Sequence, residues 1–229
     1  TGFIVFNRKT YPNFDRILNE LGVESDATKM SFSVKCDRTG LEYNGTSPNG
    51  LFAQRRNLLR PSFWRLLRDI MRFNREGNAF LNEHKNEDMS VGEFLRERNY
   101  SRQFAENYLM PMGSAVWSCP FETFEEFPIR FICEFYHNHG FLQIRDRPMW
   151  RTIKGGSKKY IEQITKPYLD RIRLNCPVQS VLRSEDCVRV KTANSDEVFD
   201  EVVLACHSDT ALEILDDADD LERELLSAF

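Results

Sequence analysis

The spacing of apolar residues changes twice along these 229 residues, and that change limits the fold more than any single motif. The chain opens with Phe3-Ile4-Val5-Phe6, a β-branched and aromatic run that reads as a strand. Phe14, Ile17, Leu18 and Leu21 then follow helical spacing, and Gly22 stops that helix. Met30-Ser31-Phe32-Ser33-Val34 alternates apolar and small polar side chains, as a half-buried strand does. Asp37-Arg38-Thr39-Gly40 is turn chemistry, so Leu41-Glu42-Tyr43 is expected to pair back as a hairpin strand.

From about residue 50 to 140 the period becomes helical. Pro61 sits at a helix start, and Phe63, Trp64, Leu67, Ile70, Met71 and Phe73 mark an apolar face with arginines interleaved. Ser90 is an N-cap candidate, and Glu93 completes a capping box. Ser101 starts a helix over 102–109, and 124–139 is a further Phe-rich helix. Near residue 150 the pattern returns to mixed. Trp150 to Ile153 leads through Gly155-Gly156 into a helix over about 157–168. Arg171 to Leu174 reads as a strand, and the runs at 178–182, 188–190 and 198–199 as a β-meander. Val202-Val203-Leu204-Ala205 reads as a buried parallel strand, followed by a helix over about 208–215.

These patterns predict an α+β (α/β) chain in which a helical insert separates two β-bearing segments. The expected division is a β-rich segment at 1–48, a helical insert at 49–149 and an α/β piece at 150–229. Both ends read as interior sequence, a β run without Met at the start and a helix in mid-course at the end.

Composition removes several classes of function. A net charge of −4 gives no general case for nucleic-acid binding. The six cysteines form no CxxC pair and no cluster, so neither a zinc site nor a disulfide framework is expected, and a reducing cytoplasm fits. No run of about 18 apolar residues suggests a membrane span. Eighteen phenylalanines against four histidines point to large apolar surfaces, whether core or pocket.

Local chemistry supplies two candidate ligand edges. Gly155-Gly156 before a helix fits both a tight turn and an exposed N-terminus open to an anion. Ala205-Cys206-His207 follows an apolar strand, where α/β sheets hold ligands, and equally fits an ordinary strand end. His137 and His139 are spaced i, i+2, which places them on different helical faces and disfavours a metal pair. Trp117, Phe121, Phe124, Phe127, Phe131 and Phe135 could line an apolar cavity, though such stripes are more often core. The Arg55-Arg56 pair and the arginines at 65, 68, 72 and 75 could meet anionic headgroups or nucleic acid, though such runs are more often a solvated helix face. No nucleophile–base pair and no GxSxG is present.

The succession Lys154-Gly155-Gly156-Ser157, an amphipathic helix, Arg171-Ile172-Arg173-Leu174-Asn175-Cys176-Pro177-Val178, a meander and Asp200-Glu201-Val202-Val203-Leu204-Ala205 resembles the flavin-containing amine-oxidase superfamily. Thr1-Gly2-Phe3-Ile4-Val5-Phe6-Asn7, Met30 to Val34, Leu51 to Leu58 and Trp150-Arg151-Thr152 resemble a bacterial subgroup of predicted NAD/FAD-binding amine oxidoreductases.

The resemblance implies a piece of a two-domain FAD/NAD(P)-binding flavoprotein. In that scheme 1–48 adjoins the flavin and substrate domain, 49–149 is the substrate-domain insert and 150–229 is part of the FAD-binding domain. It implies that Val178 contacts the FAD adenine through its backbone and that Ala205 and Cys206 pass near the dinucleotide. It places Gly2, Phe3, Gly155 and Gly156 on the cofactor side, and it leaves the catalytic residue unassigned. Met112, Trp117, Phe135 and His137 are the expected substrate-side residues.

The implied activity is hydride transfer from an amine or an apolar, lipid-like substrate to flavin. Desaturation or isomerisation of the phytoene-desaturase type, and a non-catalytic module that binds a partner or a membrane surface, are the alternatives. The family's GxGxxG strand–loop–helix is absent from this sequence. The chain alone is therefore expected to bind FAD weakly or not at all and to be inactive.

Overall fold

The computed structural model of the chain describes residues 5–82, 89–143 and 147–228. The cofactor-side candidates Gly2 and Phe3 lie outside the described residues. The chain divides into two compact units, Thr1–Thr165 and Lys166–Phe229.

The first unit begins with β1 (Phe6–Asn7), α1 (Pro12–Glu20) and β2 (Ser25–Thr28). α1 starts on a proline, whose fixed φ suits a first turn, and ends before Gly22 at φ +66°. β5 (Trp150–Ile153) runs antiparallel between β1 and β2, pairing Phe6 with Arg151 and Ser25 with Ile153. A small core of Phe6, Leu18 and Ile153 closes this sheet. Between these strands the chain forms a separate hairpin, β3 (Ser33–Cys36) and β4 (Leu41–Asn44), on the expected Asp37–Gly40 turn.

Seven helices of this unit share one large core. They are α2 (Pro48–Leu51), α3 (Pro61–Phe80), α4 (Val91–Glu97), α5 (Arg102–Phe104), α6 (Met110–Trp117), α7 (Phe121–Glu125) and α8 (Ile129–Asn138). A 3₁₀ turn, Arg55–Leu59, precedes α3. The inner face of α3 carries Phe63, Leu66, Phe73, Gly77 and Phe80, the spacing of one helical stripe. Phe73 lies edge-on to Phe94 and Tyr100 and against Phe104 and Tyr136, with centroids 5.4–6.5 Å away. Each phenylalanine buried this fully contributes about 2–3 kcal/mol.

Gly77 lets Leu142 and Cys133 come within 3.3–3.4 Å of where a Cβ would stand, so α8 packs close to α3. Asp69, only 1% exposed, accepts the backbone N–H of Ser101 at 3.1 Å and ties α3 to the start of α5. Ser90 and Glu93 make the expected capping box at α4, and the Ser101 side chain caps α5 as expected.

Between α5 and α6 the chain widens into a π-helical turn, Ala105–Leu109. Pro111 explains it. Proline has no N–H for the carbonyl four residues back, and its ring crowds that carbonyl. The released carbonyl is that of Asn107, and the buried Tyr43 hydroxyl donates to it at 2.7 Å. Burial also raises the Tyr43 hydroxyl pKa above its usual value. Tyr43→Phe therefore removes a buried hydroxyl donor from that carbonyl. We expect a stability loss of about 1–2 kcal/mol in urea denaturation; an unchanged midpoint would refute this account of the turn.

The helix expected over 124–139 is two helices, because Pro128 interrupts it and serves as the N-cap residue of α8. The alternation at Met30–Val34 becomes regular strand only from Ser33. Trp150–Ile153, Gly155-Gly156 and α9 (Lys158–Thr165) follow as expected, and both glycines hold positive φ, +79° and +86°.

The second unit opens with a 3₁₀ segment, Lys166–Arg171. It continues as the antiparallel meander β6 (Val178–Arg183), β7 (Val188–Thr192) and β8 (Asp196–Phe199). α10 (Ser208–Ile214) and α11 (Asp220–Ser227) complete it. Its core is Val181, Val188, Leu215 and Ala218. Two expected strands are absent. Arg171–Leu174 leaves a 3₁₀ turn and joins no ladder, and Val202–Ala205 has no strand beside it among the described residues. Apolar sequence alone does not make a strand; the ladder of a neighbour does. Val203 is accordingly 89% exposed.

Candidate functional site

A cleft of about 600 Å³ runs along β3 in the first unit. β3 pairs only with β4, so its other edge has no strand beside it among the described residues. The opposite wall comes from α6 and the start of α7. Phe32, Val34, Pro111, Ala115 and Phe121 make the lining largely apolar. Lys35, Arg38 and Glu106 supply its charge. Pro111 and Ala115 lie one turn apart on α6, so both present to the same side.

Glu106 is held by two guanidinium groups, Arg102 at 2.6 Å and Arg38 across the cleft. Arg102 first, and then Arg38, keep its carboxyl below the usual range. The rim therefore carries more positive than negative charge. Cys36 also lines this cleft. Hydrogen bonding from Thr39, with Arg38 nearby, lowers its thiol pKa. Cys133 differs: burial in the helical core raises its thiol to about 12.

The four expected substrate-side residues lie away from this cleft. Trp117 and Phe135 do come together, with ring centroids 4.9 Å apart. Phe124, Phe127 and Phe131 surround the same indole at 5.6–5.9 Å. Trp117, Phe135 and Met112 are half-buried and pack against the main core. His137 is exposed, its Nδ1 2.7 Å from Asn78 Oδ1. His139 stacks on Phe135 at 3.9 Å. Its Nδ1–H donates to the Phe135 carbonyl at 2.8 Å, which can only accept, and its Nε2 lies 3.0 Å from the Tyr11 hydroxyl. That arrangement locks the tautomer and anchors the end of α8.

The cofactor-side candidates are distributed between the units. Gly155 and Gly156 lie in the first unit, exposed, and nothing stands within 4 Å of a Cβ placed on Gly156. Val178, Ala205 and Cys206 lie in the second. Val178 opens β6 at a register shift between Val178 and Ser180, which leaves Gln179 without a paired residue. Cys206 lines a cleft of about 380 Å³ with Val202, Leu204 and Ala211.

Of the β3 cleft, sequence reasoning named Phe121 alone as a cavity candidate. Alternation at Met30–Val34 signalled a strand there, but not which of its edges would stay open.

No curated protein matches the chain. Solved structures do. A putrescine oxidase bound to putrescine matches with TM-score 0.69 and 14% identity, over 99% of this chain and 51% of that one. Cyclohexylamine oxidase from Brevibacterium oxydans IH-35A gives the same TM-score, identity and coverage. A fatty acid isomerase from P. acnes that produces CLA matches with TM-score 0.57 and 16% identity, again over 99% and 51%. The chain thus spans about half the length of the structures it matches. The model of the family described as flavin containing amine oxidoreductase matches residues 1–229, and the chain belongs to that family.

Proposed function

We propose that the intact protein is an FAD-dependent oxidoreductase that takes hydride from an apolar or lipid-like organic substrate, and that the β3 cleft is part of its substrate wall. The observation that carries this reading is the lining of that cleft. An apolar chain meets Phe32, Pro111, Ala115 and Phe121. A small ammonium group meets Lys35 and Arg38, and the carboxylate nearest to them, Glu106, is already paired twice. Such a rim repels cations and leaves aliphatic burial as the source of affinity.

The cofactor fits the residues present. Backbone left unpaired at the Val178–Ser180 bulge can hydrogen-bond an adenine edge. Exposed Ala205 and Cys206 allow close approach along the dinucleotide. Gly156, with nothing within 4 Å of a Cβ placed on it, gives the first unit a stretch of open backbone. When bound, flavin supplies the hydride acceptor, and the protein orients the substrate and excludes water.

Anaerobic mixing of the FAD-loaded intact protein with fatty acids, other apolar compounds and small polar amines tests the reading. Bleaching of the flavin's visible absorbance by apolar compounds is expected; bleaching by small amines alone would overturn it. Oxygen uptake with peroxide release then separates an oxidase from a desaturase.

A further inference from the structure

We propose that the outer face of α3 and the turn before it form a docking surface for an anionic phospholipid bilayer. Unlike the proposed substrate wall, this surface requires no cofactor. Between Arg55 and Arg75 the chain carries seven arginines and a single carboxylate, in a protein whose net charge is −4. That one carboxylate, Asp69, is buried on the inner face of α3. Glu76, the next along the chain, is engaged by Arg72 at 2.7 Å. Neither Arg65 nor Arg75 has a carboxylate partner among the described residues. The result is a concentrated positive patch on an otherwise acidic chain.

The patch is also apolar. Trp64, Arg68, Met71 and Arg75 recur at intervals of four, three and four, one stripe along the exposed face of α3. Beside it the 3₁₀ turn presents Leu58 and Leu59, and Leu59 is 87% exposed. These leucines, Pro61, Trp64, Arg65 and Arg68 line an open groove. The Trp64 indole N–H donates to the Leu58 carbonyl at 2.9 Å, and its ring leans on Phe52 at 5.4 Å. The turn is therefore fixed against the helix, and the aliphatic tips are held outward.

Indole, aliphatic tips and guanidinium groups on one face suit the headgroup boundary of a bilayer. Arginine meets phosphate there while Leu and Trp enter the acyl edge. A nucleic acid would use the arginines but gain nothing from Leu59. It would also find the indole already occupied by Phe52 and Leu58. No helix among the described residues is long and apolar enough to cross a membrane, so the contact would be peripheral.

The test uses the 229-residue chain with sedimented vesicles of phosphatidylcholine, with and without phosphatidylglycerol. Partition onto the anionic vesicles should exceed that onto neutral ones by at least about tenfold and fall as salt is added. Arg65→Gln with Arg75→Gln should lower it on the order of 30-fold. Leu59→Asn should lower it about tenfold. All these side chains are exposed, so circular dichroism and the melting curve should stay as in the parent. Equal binding to both vesicles, or variants that bind like the parent, would overturn the proposal. So would tighter binding to a single-stranded RNA oligonucleotide with Leu59→Asn indifferent.

Discussion

Phe73→Ala is expected to cost the first unit about 4 kcal/mol, the upper range for a buried aromatic truncated to alanine. Its ring is wholly buried on the inner face of α3. It touches rings from four other places in the chain: Phe94 of α4, Tyr100 before α5, Phe104 of α5 and Tyr136 of α8. Removing it leaves a void that none of these can fill without giving up another contact, since Phe94 and Tyr100 already stack on one another at 5.8 Å. Urea denaturation followed by tryptophan fluorescence measures the loss. A cost below about 1 kcal/mol would mean that the site collapses and that this ring does not organise the helical core.

Gly113→Ala should be almost as damaging, for the opposite reason. A Cβ there would stand 2.1 Å from the Phe124 ring, well inside contact distance. Phe124 is fully buried and stacks on Trp117, so it cannot swing away freely. Overpacking of this kind costs about 3 kcal/mol. The pair is expected to be coupled: Gly113→Ala with Phe124→Leu should be more stable than the sum of the two single losses implies. Additive losses would show that the clash is relieved elsewhere.

Much of this arrangement is legible residue by residue. The Ser90–Glu93 box, the Ser101 cap, the stop at Gly22 and the Asp37–Gly40 hairpin turn depend on neighbours within a few positions, so the sequence contains their whole cause. β2 escapes such reading. Ser25-Asp26-Ala27-Thr28 is polar and has no alternation, and it is a strand because β5, far along the chain, pairs with it. Val202–Ala205 is the converse case: strand-like residues without a ladder beside them. The β3 cleft is hidden for the same reason, since it joins Phe32, Glu106 and Phe121 from three separate stretches. The phenylalanine richness was compatible with pocket and with core. Most of the rings around Trp117 and Phe73 pack into the core, and none of them lines the cleft.

The π-helical turn has one more consequence. It takes up one extra residue ahead of α6 without adding that residue's rotation, so it acts as a phase setting for everything after it. An α-helical continuation with the same number of residues would turn α6 by about 100°. Gly113 would leave Phe124, Met110 would leave the core, and Pro111 and Ala115 would rotate out of the cleft wall. In this stretch the number of residues carries information that their identities do not, and a one-residue deletion that returns the turn to α-helical bonding would keep α6 in phase.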